Sequence, residues 1–251
     1  MTVTVHPVSP AVGAEISGVD LRRLGDPEFA ALLRAWTDHS MILVRGQQLG
    51  DDDLLAFSRR FGELDPPPNQ ERGRISPPGY PDIYVVSNVL DSRGDPIGAL
   101  GAGEAVWHTD MSYLDWPPDA SMLYSLEIPP SGGNTWFCGM QAACDALPAA
   151  LRARIEGRRI KHDGTYNAGG YLRKGVTPTD DPMAAPGAWH PAILRHPANG
   201  RATLYLGRRR NSYVEGYSRA ESDALLEELW AHATDQRFVY EHAWRLGDVG
   251  P

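Results

Sequence analysis

Short strand-like runs, broken by glycine and proline and never alternating regularly with helices, constrain this chain more than any other feature. Val3 to Val8 alternates apolar and polar residues and reads as a strand, and the glycine-punctuated stretch 12–20 is β-like as well. Pro27 after Asp26 opens a helix, with Phe29, Leu32, Leu33 and Trp36 at helical spacing. Met41 to Val44 is a buried strand, and Asp51 to Phe61 a second helix with acids in its first turn. Strands are expected over 82–89, 120–127, 135–137, 159–162 and 237–244, with short helices over 141–146 and 149–156. Asn199-Gly200 marks a hairpin between strands 190–196 and 203–206. Ser218 and Glu221 form a capping box ahead of Leu225, Leu226, Leu229 and Trp230. The Pro- and Gly-rich stretches 65–81, 91–105 and 163–189 are irregular and read as binding loops or lids. Without a βαβ rhythm, the pattern predicts a mostly β fold with inserted helices, a double-stranded β-helix or jelly roll. At 251 residues, 42% of them hydrophobic, one domain over 1–251 is expected.

Charge and cysteine content narrow the function. The net charge is -8, and no basic run exceeds Arg208-Arg209-Arg210, which reads as a solvated turn, so no nucleic acid is expected. Cys138 and Cys144 form neither a CxxC pair nor a secretory framework, which fits a reducing cytoplasm. No apolar run approaches the roughly 18 residues of a membrane span. Against this background stands Trp107-His108-Thr109-Asp110. In extended backbone, residues two apart face the same way, so one imidazole and one carboxylate converge. They make two-thirds of the two-His-one-carboxylate site for non-haem Fe(II). With eight His and 32 acidic residues in the chain, a chance pair of this kind is unremarkable, so its weight must come from its surroundings.

Those surroundings carry a resemblance. Gly101 to Tyr113, which includes the His-x-Asp, resembles the metal motif of the taurine dioxygenase (TauD/TfdA-like) family. The match continues through Pro117-Pro118, Leu123-Tyr124, Pro129 to Thr135, Ala146-Leu147-Pro148, His190 to Leu206, the helix around Glu221, His242-Ala243-Trp244 and Gly247-Asp248. Gly13 to Leu21 resembles the family's opening strand. The resemblance implies a dioxygenase that uses Fe(II) and 2-oxoglutarate with O2, oxidises a small organic substrate and releases succinate and CO2. It makes His108 and Asp110 metal ligands and assigns Thr135 to the 2-oxoglutarate carboxylate. An acid at 110, rather than a small residue, implies oxygenation instead of halogenation.

The resemblance departs at the far end. The family's distal metal His and the Arg that clamps 2-oxoglutarate follow the Gly247-Asp248 strand, and the sequence stops at Pro251. The expectation is therefore a fold incomplete at its C-terminus, its open edge covered by a second copy or a partner. The alternative function is an inactive member that binds a ligand or a partner subunit. His162, His190, His196 and His242 match no ligand position and read as packed or surface histidines. The loops 65–81, 91–106, 111–118 and 163–189 should wall the substrate pocket, with Asn88, Glu104, Tyr113, Tyr166 and Asn167 as its polar candidates.

Overall fold

A computed structural model of the chain describes residues 2–67, 76–100 and 106–250. β1 (Thr4–Pro7) and β2 (Ala14–Ser17) pair antiparallel, followed by α1 (Asp26–His39), β3 (Ile42–Val44) and α2 (Asp51–Ser58). β2 and β3 run parallel, with α1 as the crossover between them, so this end does contain the strand-helix-strand unit that the sequence did not suggest. Leu32 and Ala35 of α1 bury against Ile16, Ile42 and Val44. α2 stops at Ser58, and Phe61 turns back to meet Phe29, Trp36 and Phe57 edge-on at 5.0–5.7 Å.

The middle of the chain is less regular than expected. β4 (Val86–Ser87) pairs with β5 (Ala99–Leu100), and β6 is only Leu123–Tyr124. The strands expected over 82–89 and 120–127 shrink to these pairs because Val86 and Leu123 lie at the surface, where little apolar burial rewards further pairing. β7 (Thr135–Cys138) leads into α3 (Met140–Asp145) and α4 (Ala149–Ile155). β8 (Arg159–Asp163) pairs with β9 (Gly187–Pro191), and β10 (Ile193–Arg195) with β11 (Ala202–Leu204) across the Asn199-Gly200 turn, where Gly200 has φ 69°. The single strand expected over 190–196 is split at Ala192. Its N–H goes to Arg158 and its carbonyl to Tyr205, so the chain changes partners there.

β12 (Tyr213–Val214) adds to β8, and α5 (Arg219–Ala233) starts at the Ser218–Glu221 capping box. Leu225, Leu229 and Trp230 of α5 bury against Ile155, Ile160, Leu204 and Val214 to form the larger core. β13 (Val239–His242) pairs with β7. β14 (Val249–Gly250) lies between β3 and β6, completing the sheet order β1-β2-β3-β14-β6. The last described strand is therefore interior to a sheet rather than at an edge.

Beside β14, Asp248 is fully buried. Its carboxylate takes Arg45 Nη1–H at 2.7 Å and Arg245 N–H at 2.9 Å, and lies 3.2 Å from His242 Nε2. Arg45 also reaches Glu15 on β2 at 2.9 Å. Removing one partner of a buried pair leaves the other charge uncompensated. Asp248→Asn is accordingly expected to lower the unfolding free energy by about 3 kcal/mol, the low end of the range because Arg45 keeps Glu15. An unchanged urea midpoint would remove Asp248 from this role.

Candidate functional site

Trp107 to Asp110 is not the extended strand that the sequence suggested. It is irregular chain that enters a turn at Asp110, with Met111 at φ 49°. The turn still brings the two side chains together, with His108 Nε2 3.2 Å from Asp110 Oδ1. Each is oriented from behind. His108 Nδ1 lies 2.7 Å from the Val106 carbonyl and donates its proton there, because a carbonyl only accepts. Ser121 Oγ–H donates to Asp110 Oδ2 at 2.6 Å. His108 and Ser121 hold the Asp110 carboxyl below the ordinary carboxylate range. With Nδ1 committed to Val106, Nε2 is the nitrogen that faces the carboxylate oxygen, and a cation held between them makes that contact favourable. A proton or a metal ion satisfies it, and one imidazole with one carboxylate suits Fe(II). Among the described residues no third His, Cys, Asp or Glu joins them in a metal-binding group.

Thr135 begins β7, and its hydroxyl oxygen accepts a hydrogen bond from Trp244 Nε1 at 2.9 Å. That leaves the hydroxyl proton to offer an acceptor such as a carboxylate. The neighbouring Trp136 packs on Trp107 with ring centroids 6.5 Å apart, which brings β7 alongside the His-x-Asp segment. The substrate candidates divide. Tyr113 lies under two arginines, with Arg173 at 4.0 Å and Arg209 at 5.6 Å from its ring centroid. Tyr166 bridges to Leu172 and carries Arg210 at 5.7 Å. Asn167 shapes a turn, its Oδ1 accepting Tyr171 N–H at 2.9 Å. Asn88 is exposed, just past β4. Glu104 lies outside the described residues. The Ala168 carbonyl accepts Val106 N–H at 3.1 Å, so the 163–189 stretch does abut the approach to His108.

Several residues at the site escaped the sequence reading. A cleft beside His108 and Thr109 is lined by Ser112, His162, Asp163 and Arg209. Arg209 corrects the expectation of a solvated Arg triplet. Arg208 and Arg210 point outward to Glu227 and Asp180, while Arg209 turns inward and its Nε has no partner among the described residues. No spacing rule distinguishes the middle arginine of three. His190 donates from Nε2 toward the carbonyls of Ser112 and Leu114, at 2.9 and 3.0 Å, and so anchors the turn that follows Asp110. His162 stacks on Tyr205 at 4.8 Å and meets His190 edge-on at 5.0 Å. Burial pushes its imidazole down to about 3, helped by His190. His242 is packed beside Asp248, as a structural histidine should be.

Comparison with known proteins gives this geometry a setting. The family model described as "Taurine catabolism dioxygenase TauD, TfdA family" matches residues 4–249. The alpha-ketoglutarate-dependent 2,4-dichlorophenoxyacetate dioxygenase of Cupriavidus pinatubonensis is 36% identical, over 99% of this chain and 88% of its own length. Pentalenolactone F synthase of Streptomyces avermitilis is 30% identical, over 99% and 85%. Among solved structures, a taurine dioxygenase from Burkholderia xenovorans superposes with a TM-score of 0.75 at 32% identity, covering 99% of this chain and 78% of that one. AAD-2, in complex with Mn(II) and N-oxalylglycine, superposes with a TM-score of 0.77 at 28% identity, covering 100% and 87%.

The buried His162 makes a pH prediction. As the pH falls below 6.5 the unfolded chain takes up a proton on this residue, and the native state does not until about 3. Its contribution to stability is therefore lost with acidification across that window, at up to about 1.4 kcal/mol per pH unit. Urea unfolding between pH 4 and 7 should show a shallower pH slope in His162→Phe than in the wild type. Equal slopes would mean that His162 titrates normally.

Proposed function

This chain belongs to the taurine catabolism dioxygenase TauD, TfdA family, and from that premise we propose that His108 and Asp110 are two of the protein ligands to its iron. The enzyme is an Fe(II)- and 2-oxoglutarate-dependent dioxygenase acting on a small organic molecule, and its sheet-rich chain shares the jelly-roll architecture of its solved relatives. Three of its dioxygenase relatives align over 85–88% of their own lengths, which favours a catalyst over an inactive ligand-binding member.

The observation that carries the ligand assignment is the 3.2 Å approach of His108 Nε2 to Asp110 Oδ1, with Nδ1 committed to Val106 and Oδ2 to Ser121. When bound, iron and 2-oxoglutarate supply an O2-driven oxidation of a substrate C–H bond, with loss of succinate and CO2. The chain's own part is orientation. Val106 sets the ring tautomer and Ser121 sets the carboxylate plane, so both metal-facing atoms are held before any ion arrives. Thr135 would donate its hydroxyl proton to a 2-oxoglutarate carboxylate, its oxygen being steadied by Trp244. Tyr113, Tyr166 and Asn167 line or shape the substrate side.

One domain over 1–251 is part of the same proposal. So is a cytoplasmic location, supported by two free cysteines, Cys138 and Cys144. No helix among the described residues is long and apolar enough to cross a membrane. Two relatives oxidise aryloxy acids by name, which makes phenoxyacetate the first probe substrate for this chain.

Anaerobic Fe(II) titration, with the visible charge-transfer absorption that 2-oxoglutarate adds, tests the assignment. His108→Ala and Asp110→Asn should each raise the Fe(II) dissociation constant by more than about 100-fold, because losing even an outer hydrogen-bond partner costs about 10- to 100-fold. Ser121→Ala should fall near the lower figure. Wild-type affinity in His108→Ala would defeat the reading.

A further inference from the structure

Among the described residues, two that are not glycine adopt the left-handed conformation, Ser40 and Met111. Ser40 closes α1, where that conformation is common. Met111 closes no helix. At φ 49° its Cβ crowds the following carbonyl, and such backbone persists only where its surroundings hold it. The turn it belongs to directly follows Asp110. Its own backbone supplies the bond from Leu114 N–H to the Met111 carbonyl at 3.0 Å. Ser112, at its centre, is buried, so its carbonyl needs a partner from elsewhere in the chain.

His190 is that partner. Its Nε2–H donates to two carbonyls of the turn at once, Ser112 at 2.9 Å and Leu114 at 3.0 Å. The donor stands on a rigid element. Burial alternates along β9, with Ala188 and His190 inside and Pro191 outside, so the imidazole points into the fold. β9 pairs with β8 from Arg159–Pro191 to Asp163–Gly187, which sets His190 opposite Ile160. Gly187 makes the close pairing possible, since a Cβ there would meet the His162 carbonyl oxygen at 2.1 Å. The His190 ring is wedged edge-on against His162 at 5.0 Å and Tyr205 at 5.2 Å. Packing against two rings does not call for an imidazole. A phenylalanine would fill that space without burying a polar nitrogen, so the nitrogen is there for the turn.

Resting on the assignment of Asp110 as an iron ligand, we propose that His190 is a positioning residue for the metal centre. Through the Ser112 and Leu114 carbonyls it holds the turn that presents the Asp110 carboxylate to His108. Asp110 is then fixed twice, its side chain by Ser121 and the backbone after it by a residue 78 positions beyond Ser112. Order of this kind is expressed as metal affinity, because the turn loses its freedom on folding rather than on binding. Without the donor, the ion itself has to order the turn. Affinity falls, while the loaded centre stays nearly the same.

Substitutions in the full chain test this. His190→Phe keeps a ring and removes the donor, and His190→Asn keeps an amide donor on a side chain too short to reach. Both should raise the Fe(II) dissociation constant by about 10- to 100-fold, the range for losing an outer partner of a metal ligand. His190→Gln carries its N–H donors at nearly the reach of Nε2 and should bind Fe(II) within about 3-fold of wild type. At saturating Fe(II), kcat of His190→Phe should stay within about 3-fold of wild type. In metal-free protein, hydrogen exchange across 110–115 should be faster in the Phe and Asn variants and unchanged in the Gln variant. Ile155→Val, which thins the core behind β8 without touching the donor, should lower the melting temperature and leave Fe(II) affinity within about 2-fold. Wild-type affinity in His190→Phe and His190→Asn overturns the positioning role, as does unchanged exchange across 110–115. So does His190→Gln binding as weakly as His190→Phe, or an equal loss in Ile155→Val, which would make the effect one of general stability. A kcat loss as large as the affinity loss would place the turn in the reaction itself and overturn it too. If His190→Phe does not fold, the contrast between His190→Asn and His190→Gln decides. A wild-type chain that binds no Fe(II) would instead defeat the ligand assignment, while the metal-free exchange would still show whether His190 pins the turn.

Discussion

Asp248, buried beside β14, takes hydrogen bonds from Arg45 at the end of β3 and from the backbone of Arg245, and it lies against His242 of β13. Its backbone exchanges hydrogen bonds with Ser125, just past β6. Three otherwise separate parts of the chain, β3, β6 and β13, meet at this residue. The functional residues hang from two of them. Ser121, which orients Asp110, precedes β6, and Thr135 faces His242 across the β7–β13 pair. A buried ion pair adds little net energy compared with a well-packed apolar substitute, but it fits only one arrangement of its partners. Here that arrangement sets β6 and β7 in place around the His-x-Asp turn.

The site itself is built from polar groups that the fold leaves incomplete. His108 Nε2 and an Asp110 oxygen face each other at 3.2 Å, an arrangement that a cation completes. In the cleft beside them, Arg209 Nε and Asp163 Oδ2 are both buried without a hydrogen-bond partner among the described residues. His162, kept uncharged by its burial, and His190, bonded to the turn after Asp110, form the surrounding wall.

Much of this was legible from local chemistry. The capping box at Ser218, the Asn199-Gly200 hairpin and the helix after Asp26 appear where their residues predict, because each depends on hydrogen bonds or dihedrals within a few residues. The His-x-Asp pair converges, though for a different reason than expected. Extended backbone would have aligned the side chains, whereas a turn with Met111 in the left-handed region does so instead. The break at Ala192 was not legible, since it depends on Arg158 and Tyr205, residues 34 and 13 positions away in a strand partnership that forms only on folding. Nor was the inward turn of Arg209, because its two neighbours are chemically identical and only the outside partners Glu227 and Asp180 separate them.

The sequence by itself determined the chemistry: which residues could meet a metal ion, where helices begin, which stretches stay irregular, and the family to which the order of motifs belongs. Those properties reside in side-chain type and short spacing. Only the tertiary structure decided that β14 fills the centre of a sheet, that Asp248 gathers three strands, and that two arginines 36 positions apart share one tyrosine ring. Contacts of that kind are set by which distant surfaces exclude water from each other, and no local pattern along the chain records the choice.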